Sequence, residues 1–119
     1  MKLLTLNTHS LIEPEYEAKR EIFVEFIAKE QPDVFALQEV NQTAAAPELK
    51  AVPAGYTSCP GNTVPLKADN HAAAVARMLE QKGVCYHWSW LKICLKCLFH
   101  FTNASKMPGK NSNSSQHFT

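Results

Sequence analysis

Apolar and polar residues alternate from Lys2 to His9, with Leu4 and Leu6 on one side and Thr5, Asn7 and His9 on the other. That two-residue period predicts a short strand. Glu13-Pro14-Glu15 follows. Proline suits a helix's first turn, where its missing N–H is not needed, and acids suit the positive end. From Tyr16 to Glu30 the period is helical. Ile22 with Phe26 and Phe23 with Ile27 stack at i,i+4 as an inward face, while Glu15–Lys19 and Glu25–Lys29 are spaced to pair outward. Gln31-Pro32 stops the helix. Val34-Phe35-Ala36-Leu37 is a continuous apolar run, which reads as a strand covered on both faces, and it ends abruptly in Gln38-Glu39. Strand, helix and strand in this order predict a βαβ unit with parallel strands and a right-handed crossover.

Residues 41–68 hold four prolines and two glycines without periodicity and read as a long surface loop, either functional or disordered. A second helix follows, capped by Asp69 or Asn70, with Ala72, Val75, Ala76 and Leu79 as its apolar stripe and Gly83 as its terminator. Val84 to Leu91 is an aromatic-rich third strand. Beyond it, Ile93 to Phe101 is apolar without clean periodicity, and from Thr102 the Asn, Ser, Lys, Gly and Gln content is that of a disordered tail.

Charge divides the chain at the same place. Every Asp and Glu lies at or before Glu80, so residues 1–91 are net −3 and residues 92–119 net +4. This suggests two segments of different origin or role, 1–91 and 92–119, and the second is expected to be an altered reading frame or the broken end of a longer gene. The overall charge of +1 supplies no field favouring nucleic acid or membrane. No apolar stretch approaches the ~20 residues of a membrane span, and the N-terminal apolar run ends too early, at Asn7, for a signal peptide. A cytoplasmic location is expected. Four cysteines in such a chain are expected to be free thiols. Cys94-x-x-Cys97 has metal or redox spacing but no second pair.

Two residues carry candidate chemistry. Asn7 and Glu39 end adjacent parallel strands, and ligands of α/β sheets bind beyond the carboxyl ends of strands. A carboxylate there suits a hard cation such as Mg²⁺, which takes one or two carboxylates and fills its octahedron with water and phosphate. Asparagine orients a bound water or a phosphate oxygen. From position alone the plainer reading is preferred, with Glu39 opening a solvated loop and Asn7 capping a strand. His9 shares the Asn7 face and is a weaker candidate for a phosphate contact. His87, between aromatic residues, suits either base stacking or core packing.

The motifs change that weighting. Leu4-Thr5-Leu6-Asn7-Thr8-His9 followed by Pro32-Asp33-Val34-Phe35-Ala36-Leu37-Gln38-Glu39-Val40 resembles the first two motifs of the endonuclease/exonuclease/phosphatase (DNase-I-like) family. Asp69-Asn70-His71 and Tyr86-His87-Trp88-Ser89-Trp90 look like the middle region of its bacterial members. The resemblance covers residues 1–91. It implies the N-terminal βαβ portion of a four-layer α/β sandwich, incomplete here, with Glu39 as ligand of Mg²⁺ (or Mn²⁺) and Asn7 positioning metal and phosphate. The implied reaction is metal-dependent hydrolysis of a phosphoester, in nucleic acid or a phosphorylated small molecule. The family's later Asp-x-Asn and Ser-Asp-His segments have no counterpart, and no Asp follows Asp69. The chain is therefore expected to be inactive by itself; the alternative is a non-catalytic fragment or small interaction module.

Overall fold

A computed structural model describes residues 1–93 and 96–103, with 93, 96–100 and 103 described as backbone alone. Strand β1 (Leu3–Asn7) leads through a 3-10 turn at Ser10–Ile12 into helix α1 (Tyr16–Glu30), and the chain returns as β2 (Val34–Gln38). A long ordered loop precedes helix α2 (His71–Gln81), followed by β3 (Tyr86–Ile93) and β4 (Lys96–Asn103). These strands form a mixed sheet in the order β1-β2-β4-β3. β1 and β2 are parallel, with Leu4 beside Phe35 and Asn7 beside Gln38, as the βαβ pattern requires. β4 runs antiparallel to both β2 and β3.

The register fixes which face is buried. Leu4, Phe35, Leu37, Phe101, Trp88 and Trp90 share one face, and all but the partly buried Leu4 are almost wholly shielded. Phe35 stacks on Phe101 at 4.2 Å between centroids and meets Tyr86 edge-on at 5.0 Å. Val24 and Ile27 of α1 and Ala72, Val75, Ala76 and Leu79 of α2 close over this face. The α2 stripe is the one its periodicity predicts. Asn70 caps the helix by accepting from Ala73 N–H at 3.0 Å. Gly83 (φ +76°) ends it in a Schellman motif, with Val84 N–H on Leu79 O and Gly83 N–H on Glu80 O.

Four expectations are corrected. On α1, Ile22 is 70% and Phe26 48% exposed, and the inward face is Val24 and Ile27 with Phe23 partly buried. Glu15–Lys19 and Glu25–Lys29 do not pair: Lys19 bonds Glu13, and Glu25 bonds Lys82 beyond the end of α2. Strand β2 is fully buried on one face only, since Val34 and Ala36 on the other remain half-buried. The sheet also continues past position 91. Lys92 and Ile93 belong to β3, and residues 96–103 form β4 between β2 and β3, so to that extent the expected tail is part of the folded unit. Residues 104–119 and the half of the Cys94-x-x-Cys97 pair at Cys94 lie outside the described residues. Cys59 and Cys85 are free thiols.

The 41–68 loop is tied down. It runs along the outer edge of β3, where Trp88 N–H donates to Gly55 O and Thr57 N–H to Trp88 O, both at 2.9 Å. Indole and phenol groups of β3 anchor backbone elsewhere: Trp90 Nε1 donates to Val40 O at 2.9 Å and Tyr86 Oη to Pro32 O at 2.7 Å. Both ends of β2 are thereby fixed. Among the described residues no helix is long and apolar enough to cross a membrane.

Candidate functional site

The parallel pairing of β1 and β2 delivers Asn7 and the residue after Gln38 to the same end of the sheet. Asn7 Nδ2 donates to Glu39 Oε1 at 3.1 Å. Its Oδ1 accepts the His9 backbone N–H at 3.2 Å, so both ends of the amide are committed and its orientation is set. Glu39 itself has φ +56°, a left-handed conformation uncommon for a non-glycine residue, and His9 (+50°) and Ser10 (+51°) share it. Such strain persists only where the surroundings over-determine it, and it clusters at functional sites.

Here the surroundings are two loops stitched together. Thr8 N–H and Thr8 Oγ1 both donate to Gln38 O, at 3.0 and 3.1 Å. Buried Ser10 accepts Asn41 N–H through Oγ at 3.1 Å. Beyond Glu39 the chain is held by Asp69-Asn70-His71. The Asp69 carboxylate accepts Thr43 N–H, Asn70 Nδ2 donates to Gln42 Oε1 at 2.9 Å, and His71 N–H donates to Asn41 O at 3.1 Å. The motif singled out in the sequence thus fixes the loop that follows the candidate carboxylate.

His9 joins the cluster from the side, with Nε2 3.9 Å from Glu39 Oε2 and Nδ1 3.1 Å from Glu13 Oε2. Lys19 Nζ bonds Glu13 at 2.5 Å, and Lys19 first, then His9, hold the Glu13 carboxyl below its ordinary range. Under these groups lies a cavity of about 250 Å³ between the end of β1 and the first turns of α1. On its wall Tyr16 Oη meets His71 Nδ1 at 2.6 Å. Burial, then the nearby Arg20 charge, push the buried His71 down to about 4, so it is neutral at ordinary pH.

Asn7, Glu39 and His9 are therefore brought together, and His87 is not: it belongs to β3, whose neighbouring Trp88 and Trp90 are core. Thr8, Ser10, Tyr16, Arg20 and His71 escaped the sequence reading as individual residues. Thr8 and Ser10 flank a recognised residue, which was the one available signal. Tyr16 and His71 meet across a separation of 55 residues, which no local pattern reveals.

Among the described residues no group of three or more His, Cys, Asp or Glu side chains is arranged to hold a metal ion. The donor set still fits Mg²⁺ in its usual mode, as one hard carboxylate with an oxygen left over and water or phosphate completing the shell. Glu39 Oε1 is engaged by Asn7, and its side chain is 40% exposed.

No family model matches the chain, and no curated protein matches it. A solved structure does. It is an endonuclease/exonuclease/phosphatase family protein from Leptotrichia buccalis C-1013-b, 28% identical, with a TM-score of 0.63 over 86% of this chain. The chain spans 36% of that protein's length.

Proposed function

We propose that the carboxyl ends of β1 and β2 form part of a metal-dependent phosphoester-hydrolase site of the endonuclease/exonuclease/phosphatase type. Glu39 would hold Mg²⁺ or Mn²⁺, and Asn7 would orient the carboxylate and a phosphate oxygen. The observation that carries this reading is the 3.1 Å bond between Asn7 and a Glu39 held in a left-handed conformation. The similar Leptotrichia protein supports the family. A sheet covered by helices on one face, with Val34 and Ala36 half-buried on the other, supports its being half of a four-layer DNase-I-like sandwich.

In that site the metal supplies Lewis acidity to the phosphoryl oxygen when bound. The protein's own groups do the positioning. Thr8 and Ser10 lock the two loops, Asn7 holds one Glu39 oxygen, and His9 lies beside the other. The substrate would be a phosphoester, in nucleic acid or a phosphorylated small molecule. A second reading, a non-catalytic fragment, is favoured by the ligand count among the described residues. We propose that the chain by itself does not hydrolyse.

The test is a titration with paramagnetic Mn²⁺ followed by NMR. Amide signals of residues 7–9 and 38–40 should broaden first, and Glu39→Ala should abolish the effect. Broadening centred elsewhere, or unchanged in Glu39→Ala, would falsify the assignment.

A further inference from the structure

We propose that the cavity between the end of β1 and the start of α1 is a subsite for a second phosphoryl group of the substrate, adjacent to the one engaged at Asn7 and Glu39. This rests on the phosphoester reading above. The cavity, about 250 Å³, is bounded by Asn7, His9, Tyr16, Lys19, Arg20 and His71, so it opens directly onto the candidate site. Its charge is unbalanced. Glu13 is the acid on its wall, and that carboxylate is already held by Lys19 at 2.5 Å and His9 at 3.1 Å. Arg20 forms no ion pair among the described residues. Burial raises the Tyr16 hydroxyl above its ordinary range and contact with Arg20 works against that, while Asp69 and Glu17 act on it only through space and neither pairs with Arg20.

Arg20 is also positioned as a recognition group. Its guanidinium carbon lies over the Tyr16 ring, 5.0 Å from the centroid, a cation–π contact that restrains the side chain. Its Nε is shut off from water and has no hydrogen-bond acceptor, and His71 Nε2 on the same cavity is in the same condition. Neither of these two nitrogens is reachable from the cavity, so what the wall offers a ligand is the rest of an arginine fork with no acidic partner among the described residues. An anion with several acceptor oxygens suits an arginine fork, and a phosphoryl group matches it in both geometry and charge. A substrate with neighbouring phosphoryl groups, such as a polynucleotide backbone or a bisphosphorylated small molecule, places one on the Arg20 subsite and the other at Asn7 and Glu39.

The test uses the metal-free 119-residue chain and two probes, inorganic phosphate for monoesters and dimethyl phosphate for diesters. One or both should shift the Arg20 Nε–Hε signal and the Tyr16 and His71 ring signals saturably. The better binder identifies the source of the second group. Arg20→Gln should weaken binding by about tenfold or more, the loss of a charge-assisted hydrogen bond. Arg20→Lys, which keeps the charge and the fold if Gln does not, should weaken it less. Glu39→Gln should leave it intact, and Mn²⁺ broadening that is absent from residues 7–9 and 38–40 of the unaltered chain, with phosphate binding preserved, would sink the metal reading and spare the subsite. Shifts that do not saturate, that survive both Arg20 variants, or that vanish in Glu39→Gln overturn the subsite.

Discussion

Tyr16 at the start of α1 and His71 at the start of α2 meet through a 2.6 Å contact between Oη and Nδ1, joining two helices whose sequences are far apart. His71 is buried, and its neutral form is held by that burial and by the Arg20 charge, which lower it from 6.5 to about 4. Between those values the unfolded chain takes up a proton that the folded chain refuses. Stability therefore falls as pH drops from above 6.5 towards 4. From pH 7.5 to pH 5 this histidine alone should remove roughly 2 kcal/mol. Urea unfolding at the two pH values measures it, and His71→Gln should flatten the dependence while lowering stability at pH 7.5. An equally steep dependence in the variant would assign it to other groups.

Glu39 offers a separation of strain from chemistry. At φ +56° a side chain is unfavourable by roughly 1 kcal/mol, and glycine adopts this conformation freely. Glu39→Gly should therefore be more stable than Glu39→Ala by about that amount. Both lose the Asn7 bond and both should lose Mn²⁺ broadening. Equal stability of the two would mean that the loop relaxes and that the left-handed conformation is not imposed by its surroundings.

Gly55 holds the long loop against β3. With φ +88°, a Cβ built on it would stand 2.2 Å from Tyr86 O, a backbone atom that the strand cannot move. Gly55→Ala should destabilise by more than about 1 kcal/mol. Hydrogen exchange at Trp88 and Thr57, which bond this loop, should accelerate first. Unchanged protection there would mean that the loop is not fastened through Gly55.

The elements that show in the sequence are those governed by local rules. α1 is found at 16–30, α2 carries its predicted cap and stripe, and β1 and β2 are parallel. Asn7 and Glu39 were identifiable because a polar residue directly after an apolar run marks a strand end. Of the two pairs expected inward on α1, Phe23 and Ile27 do face the core and Ile22 and Phe26 do not, because residues 22, 23, 24, 26 and 27 are all apolar, a stripe wider than the contact the sheet provides. Periodicity does not choose among them; Phe35 and its neighbours on the sheet do. β4 escaped because its apolar run lacks a clean two-residue period, and although β3 precedes it directly, its other partner β2 lies more than fifty residues earlier. Residues 41–68 form the loop expected of them, but what orders the part after Glu39 does not show in the sequence, since its bonds reach across to residues 67–71.

The remaining prediction concerns catalysis by the 119-residue chain. Mg²⁺ gives up its waters reluctantly, and one carboxylate with a neutral amide offers it little charge. The nearest candidate base, His9, has Nδ1 engaged by Glu13, and no group of three His, Cys, Asp or Glu side chains among the described residues is arranged to hold a metal ion. The groups that stabilise charge at phosphorus and activate water typically contribute orders of magnitude each. Purified chain should give no measurable Mg²⁺-dependent cleavage of plasmid DNA or of a generic phosphodiester, even where Mn²⁺ broadening shows that Glu39 binds metal. Turnover abolished by both Glu39→Ala and chelation would contradict this, and would mean that residues outside those described complete the site.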